Sequence, residues 1–146
     1  MASSVFWEAL VYTKQRLEAI PAIPTVKIRK KPVLLQEDTI PLILVTPGKE
    51  KVGIEAFERV VEYIYEIQIT MIRPGNRIYE ADVESFLKLR QSIRNSLYQP
   101  NLPGANTVID AIIETTAPFD VVSGDAGNYD ISGLIIRYKS IEERVS

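Results

Sequence analysis

Asp120, Asp125, Asn128 and Asp130 crowd four oxygen donors into a short Gly-containing stretch, the kind of set that could hold calcium or magnesium. Their spacing misses the EF-hand register, which needs acidic or amide ligands at alternate positions, a following Gly and a closing bidentate Glu. Asp, Asn and Gly are also the residues that a hairpin turn selects, for local hydrogen bonds and positive φ. The segment therefore reads as a turn, and no metal or other cofactor is expected. A second set, Lys27, Arg29, Lys30 and Lys31, could touch phosphates or a membrane surface. It carries no interleaved aromatics on which bases would stack, so it reads as a solvated strand edge whose lysines discourage edge-to-edge aggregation.

Carboxylates form the third set. Glu62 and Glu66, like Asp110 and Glu114, sit four apart, which on a strand separates them by about 13 Å. Neither pair can serve as an acid/base dyad by itself, although residues of different strands could converge. The Gly-containing stretches at 46–53 and 103–106 lack the second Gly before Lys and Ser or Thr that a phosphate loop requires. With no His and no Cys in 146 residues, the usual general base, the Ser/His triad, thiolate nucleophiles and thiolate metal sites are all excluded. No enzymatic activity is expected.

Elements that would position these groups follow from periodicity. Val5, Phe6, Ala9, Leu10, Leu17 and Ile20 make an apolar stripe of helical spacing, with Ser3 or Ser4 as N-cap and Pro21 and Pro24 as stops. Residues 25–29 alternate apolar and basic as a short strand. Pro41–Val45 is an apolar run of strand length, followed by an expected turn at Thr46-Pro47-Gly48. Over 58–73 the period is two, with Val61, Tyr63, Tyr65, Ile67, Ile69 and Met71 on one face. A second helix fits 80–97, with Val83, Phe86, Leu87, Ile93 and Leu97 on its apolar face. Its acids come first, and Lys88, Arg90 and Arg94 follow, matching the helix dipole. Strands at 107–116 and 129–139 flank the polar Ser123–Asn128 stretch and should pair antiparallel. The expectation is an α+β fold in one domain over residues 1–146. It has a single antiparallel sheet of four to five strands with two helices on one face, in the order α-β-β-β-α-β-β.

A formal charge of −2 argues against a dedicated nucleic-acid binder, which needs many phosphate-neutralising cations. No run approaches 18 apolar residues and the N-terminus lacks a signal-peptide pattern, so a soluble intracellular protein with no membrane partner is expected.

Tyr-Glu-Ile-Gln-Ile-Thr-Met-Ile at 65–72, Leu-Arg-Gln-Ser-Ile-Arg-Asn-Ser-Leu at 89–97 and Tyr-Asp-Ile-Ser-Gly-Leu-Ile-Ile-Arg-Tyr at 129–138, in this order of elements, resemble tail-terminator proteins of long-tailed bacteriophages. The resemblance implies a structural virion protein of the phage neck, located in the tail and in host cytoplasm during assembly. Such a protein forms a ring of six copies that closes the tail tube and offers a docking surface to the head. Its partners would be other copies of itself, the tail tube protein and a head-closure or connector protein, with DNA only passing through the ring. Three candidate contact surfaces stand out. Lys49, Glu50 and Lys51 lie in an expected charged loop over 47–56, between Gly48 and Gly53; Asp125 and Asn128 lie in the polar turn; Lys27 and Arg29 lie on the basic edge. The competing class is a non-enzymatic ligand- or peptide-binding module on the same kind of sheet.

Overall fold

Helix α1, Val5–Glu18, starts where Ser4 can cap it: the Ser4 hydroxyl accepts the Trp7 amide at 3.1 Å, Glu8 sits in the first turn and Arg16 in the last. The computed structural model describes residues 4–21, 23–57, 60–74, 80–97, 108–115 and 129–143. After α1 come β1 (Thr25–Ile28), β2 (Leu42–Phe57), β3 (Val60–Pro74), α2 (Glu80–Leu97), β4 (Val108–Thr115) and β5 (Tyr129–Glu143). The five strands form one sheet in the order β1-β2-β3-β5-β4. Every neighbouring pair is antiparallel except β1 with β2, which run parallel. The sheet is thus mostly antiparallel, and the wholly antiparallel expectation is corrected at its first strand.

That exception has a local cause. Between β1 and β2 the chain travels through residues 29–41 along the sheet instead of turning tightly, which lets β2 start alongside Thr25. The Arg29 amide donates to the Val45 carbonyl at 3.0 Å. The next bond of a parallel ladder would need an N–H from Pro47, which has none, so β1 stops at Ile28.

Both helices pack on one face of the sheet. Ala9, Leu10 and Leu17 of α1 and Phe86, Ile93 and Leu97 of α2 close over Val26, Ile43, Val45, Ile67, Ile69, Met71, Leu134, Ile136 and Tyr138, all buried. At roughly 2 kcal/mol per fully buried large apolar side chain, this layer is the main source of stability. The helices are tied to each other at their ends. The Arg16 guanidinium donates to the Ser96 carbonyl at 3.0 Å, filling an acceptor that the end of α2 leaves unpaired, and the Ser96 hydroxyl donates back to the Arg16 carbonyl at 3.3 Å. Arg90, one of the late-turn cations of α2, is buried. It donates to the Ser132 hydroxyl at 2.5 Å and the Gly133 carbonyl at 2.9 Å, while burial lowers its pKa. Val83 and Leu87, expected on the apolar face, are exposed.

Among the described residues the opposite face is covered only in part. Leu34 and Ile40, from the 29–41 segment, pack on Leu42, Leu44, Ile72 and Ile131 in a second, smaller cluster. Among the described residues that cover ends near Thr46.

Candidate assembly interface

The expected turn at 46–48 and the charged loop at 47–56 are both strand. β2 continues to Phe57, and β3 follows it back as an antiparallel partner. What Pro47 and Gly48 produce is a bulge. Pro47 pairs with Ile67 and Glu50 with Tyr65, so three steps on β2 span two on β3. The extra residue exchanges the faces. Ile43, Val45 and Pro47 share the helix side, whereas beyond the bulge Glu50 and Val52 take that side and Lys49 and Lys51 turn to the other. A Cβ at position 48 would lie 2.7 Å from Glu66 Oε1 and 2.9 Å from its Cγ, so a larger residue there would have to push the Glu66 side chain aside. Lys49, Glu50 and Lys51 are all exposed.

On the face turned away from the helices, the carboxylates that alternation placed on the wet side do converge, and a cation stands between them. Arg137 of β5 donates to Glu66 on β3 at 3.2 Å and reaches Glu114 on β4 at 2.6 Å. The bond to Glu114, with the nearby negative charge of both partners, raises the Arg137 pKa. Lys139 lies 4.0 Å from Glu62 in the next row. Each of these acids is thus paired with a cation across strands. Ile112 and Ile141, both exposed, lie on the same face.

On the helix side of the same region aromatics gather. The Phe6 and Tyr65 rings lie 4.9 Å apart, and Tyr63 stacks at 6.1 Å from Tyr65. Burial, and the bond it donates to the Glu142 carboxylate, raise the Tyr65 pKa strongly.

Lys27 and Arg29 are not a free basic edge. Both point away from the helices and close on Asp38. Arg29 makes a two-pronged contact with its carboxylate and Lys27 reaches it at 3.2 Å, while the Leu35 amide donates to it at 2.7 Å. The Arg29 bond holds the Asp38 carboxyl well below the usual carboxylate range. This clamp fastens the 29–41 segment over the second cluster. Asp38 was missed as a functional partner, and its one sequence signal was a lone Asp shortly after a run of cations. Lys30 and Lys31 remain exposed.

Asp125 and Asn128 lie outside the described residues, as do Asp120 and the rest of the 116–128 stretch. Asp130 is described, and it accepts from Arg73 at 3.3 Å while the Arg73 guanidinium lies 4.2 Å over the Phe86 ring. Among the described residues no cluster of three or more His, Cys, Asp or Glu could hold a metal ion, and no helix is long and apolar enough to cross a membrane.

Between α1 and the outer edge of β1 runs an open groove of about 610 Å3, lined by Trp7, Val11, Lys14, Glu18, Val26 and Ile28 among others. Trp7 is 55% exposed.

No protein-family model matches the chain, and no curated protein does. Among solved structures, the whole chain superposes on the PVC sheath/tube terminator, in its extended state, of an extracellular contractile injection system, with a TM-score of 0.63 at 11% identity. The fold is tail-terminator-like. The chain spans 59% of the length of that terminator, so the likeness is one of architecture.

Proposed function

We propose that this protein is a structural terminator of a phage-type tail, a ring of six copies that caps the finished tube and presents the surface to which a head docks. The observation that supports this reading most directly is that the entire chain, both helices and all five strands, superposes on a sheath/tube terminator. The disposition of charge supports it too. Among the described residues, Glu62, Glu66, Glu114, Asp38 and Asp130 each face a Lys or Arg, an arrangement that stiffens a sheet and does no acid/base chemistry. In this role the chain acts as one domain without metal or cofactor. Its partners are its own copies, the tube protein and a head-closure or connector protein, with DNA passing through the ring and the assembled protein residing in the virion neck.

Lys49, Glu50 and Lys51, on the exposed stretch of β2 past the bulge, are the proposed contact with the tube. Native mass spectrometry of the purified chain, alone and with tail tubes, tests the reading. Six copies in one particle, or six added per tube end, is the expected result, and a monomer that never joins tubes overturns it. A second reading, a peptide-binding module, draws on the groove beside α1 and would give that persistent monomer.

A further inference from the structure

The two outermost strands of the described sheet differ in chemistry. β1 sits at one edge and β4 at the other. Because the Arg29 amide faces β2, the alternation of a parallel ladder turns the N–H and C=O groups of Val26 and Ile28 outward, toward the groove under Trp7 and Val11. Lys27 and Arg29 along that edge are engaged by Asp38, and the exposed Lys30 and Lys31 that extend it make its continuation basic. β4 is its counterpart: Asp110, Ile112 and Glu114 alternate along it, Ile112 is 51% exposed, and the Glu114 side chain is 55% exposed although one of its oxygens meets Arg137. A carboxylate has acceptor sites left after one such bond.

Direction and face agree as well. β2 runs with β1, β3 against it, β5 with it and β4 against it. If a second copy continues the sheet with its helices on the same side, its β4 meets β1 antiparallel. Ile112 and Glu114, on the face away from the helices, then share a face with Lys27 and Arg29. The exposed lysines would repel a second β1 edge and attract the acidic β4 edge, so the joint is head-to-tail, the type that closes into rings.

We propose that β4 of one copy adds to the β1 edge of the next, seated in the groove between α1 and β1, and that repetition of this joint builds the ring. This inference rests on the terminator reading and names its interface. Six five-stranded sheets joined this way, at ~4.8 Å per strand, enclose a ring roughly 45 Å across before strand tilt widens it.

Carbodiimide coupling of the unmodified chain, followed by peptide mass spectrometry, tests it. Within one copy β1 and β4 are four strand spacings apart, about 19 Å, too far for a zero-length amide bond. A coupled peptide joining Lys27, Lys30 or Lys31 to Asp110 or Glu114 must therefore come from two copies, and mixing 14N- and 15N-labelled chains marks it as such. The expected result is that coupled peptide, together with at least about a tenfold weaker ring for Glu114→Lys, restored when Lys30→Glu and Lys31→Glu are added. Trp7→Ala, which removes a mostly exposed ring from the groove, should weaken the ring at an unchanged melting temperature. Rings that form without the coupled peptide, and that tolerate Glu114→Lys and Trp7→Ala, overturn the edge joint and leave the terminator reading standing. Monomers with no coupled peptide, with and without tubes, overturn both.

Discussion

Two stretches of the same strands, below and above the bulge at Pro47–Lys49, solve the burial problem differently. Below it the sheet is enclosed on both sides, by α1 and α2 on one face and by the 29–41 segment on the other. Above it the helix side carries the Phe6, Tyr65 and Tyr63 rings, while the other face carries rows of ion pairs with no cover among the described residues. The difference shows that one strand can be core at one end and surface at the other. It also shows that the open end keeps its polar groups fixed by pairing them across strands.

The largest blow to the enclosed end is Ile67→Asp. The side chain has no exposure, and an unpaired carboxylate there should cost about 4 kcal/mol or more and abolish soluble expression. A normal yield and melting temperature would mean that the core is misplaced. Next comes Asp38→Asn, which should loosen the 29–41 segment and make it the first site of limited proteolysis. Because the Asp38 pKa is depressed in the fold, its contribution is present above the ordinary carboxylate value of about 4 and fades as the pH falls below it. Melting temperature should therefore drop on acidification less steeply in Asp38→Asn than in the parent, and parallel curves would contradict the clamp.

Smaller effects sit nearer the boundary. Thr13 donates to the Ala9 carbonyl at 2.7 Å, which leaves the Tyr138 hydroxyl to donate to Thr13 at 3.0 Å. Burial pushes the Tyr138 pKa up to about 12. Tyr138→Phe should lower stability by about 1 kcal/mol in a urea titration. Thr46 runs the other way. Its hydroxyl is buried without a hydrogen-bond partner among the described residues, so Thr46→Val should raise stability by up to about 1 kcal/mol, and a clear loss would reveal a partner. Least is expected of Lys49→Glu with Lys51→Glu. Both residues are exposed on the open stretch, and the double variant should unfold within about 0.5 kcal/mol of the parent while capping tubes poorly. Equal capping would move the tube contact elsewhere.

Much of this was legible in the sequence. The apolar stripes of α1 and α2, the capping Ser4 and the period of β3 are direct consequences of one-sided burial, and the pairing of β4 with β5 came with them. Thr46-Pro47-Gly48 misled because those residue types serve a turn and a bulge equally well, and only the partner strand decides between them. The burial of Arg90 could not be read because its acceptors, Ser132 and Gly133, are more than 40 residues away. For the same kind of reason the parallel β1 could not be read: its ladder depends on how the 29–41 segment is tied down by Asp38. Of the candidate contact residues, the exposure of Lys49, Glu50 and Lys51 was foreseeable from their charge, whereas the engagement of Lys27 and Arg29 was not.

The bulge also works as a frameshift in the surface. Downstream of it the code that sorts residues to the two faces is displaced by one position, so the charges at 49–51 are presented in antiphase to the apolar run at 42–45. Deleting Gly48 would remove the extra residue and set Pro47, Lys49 and Glu50 opposite Ile67, Glu66 and Tyr65 in unbroken alternation, leaving Glu50 on the helix side and Lys51 on the other face. The bulge thus acts as a one-residue reserve of chain: losing it straightens β2 while the partner strand keeps the charge pattern of 50–52 as it is on each face.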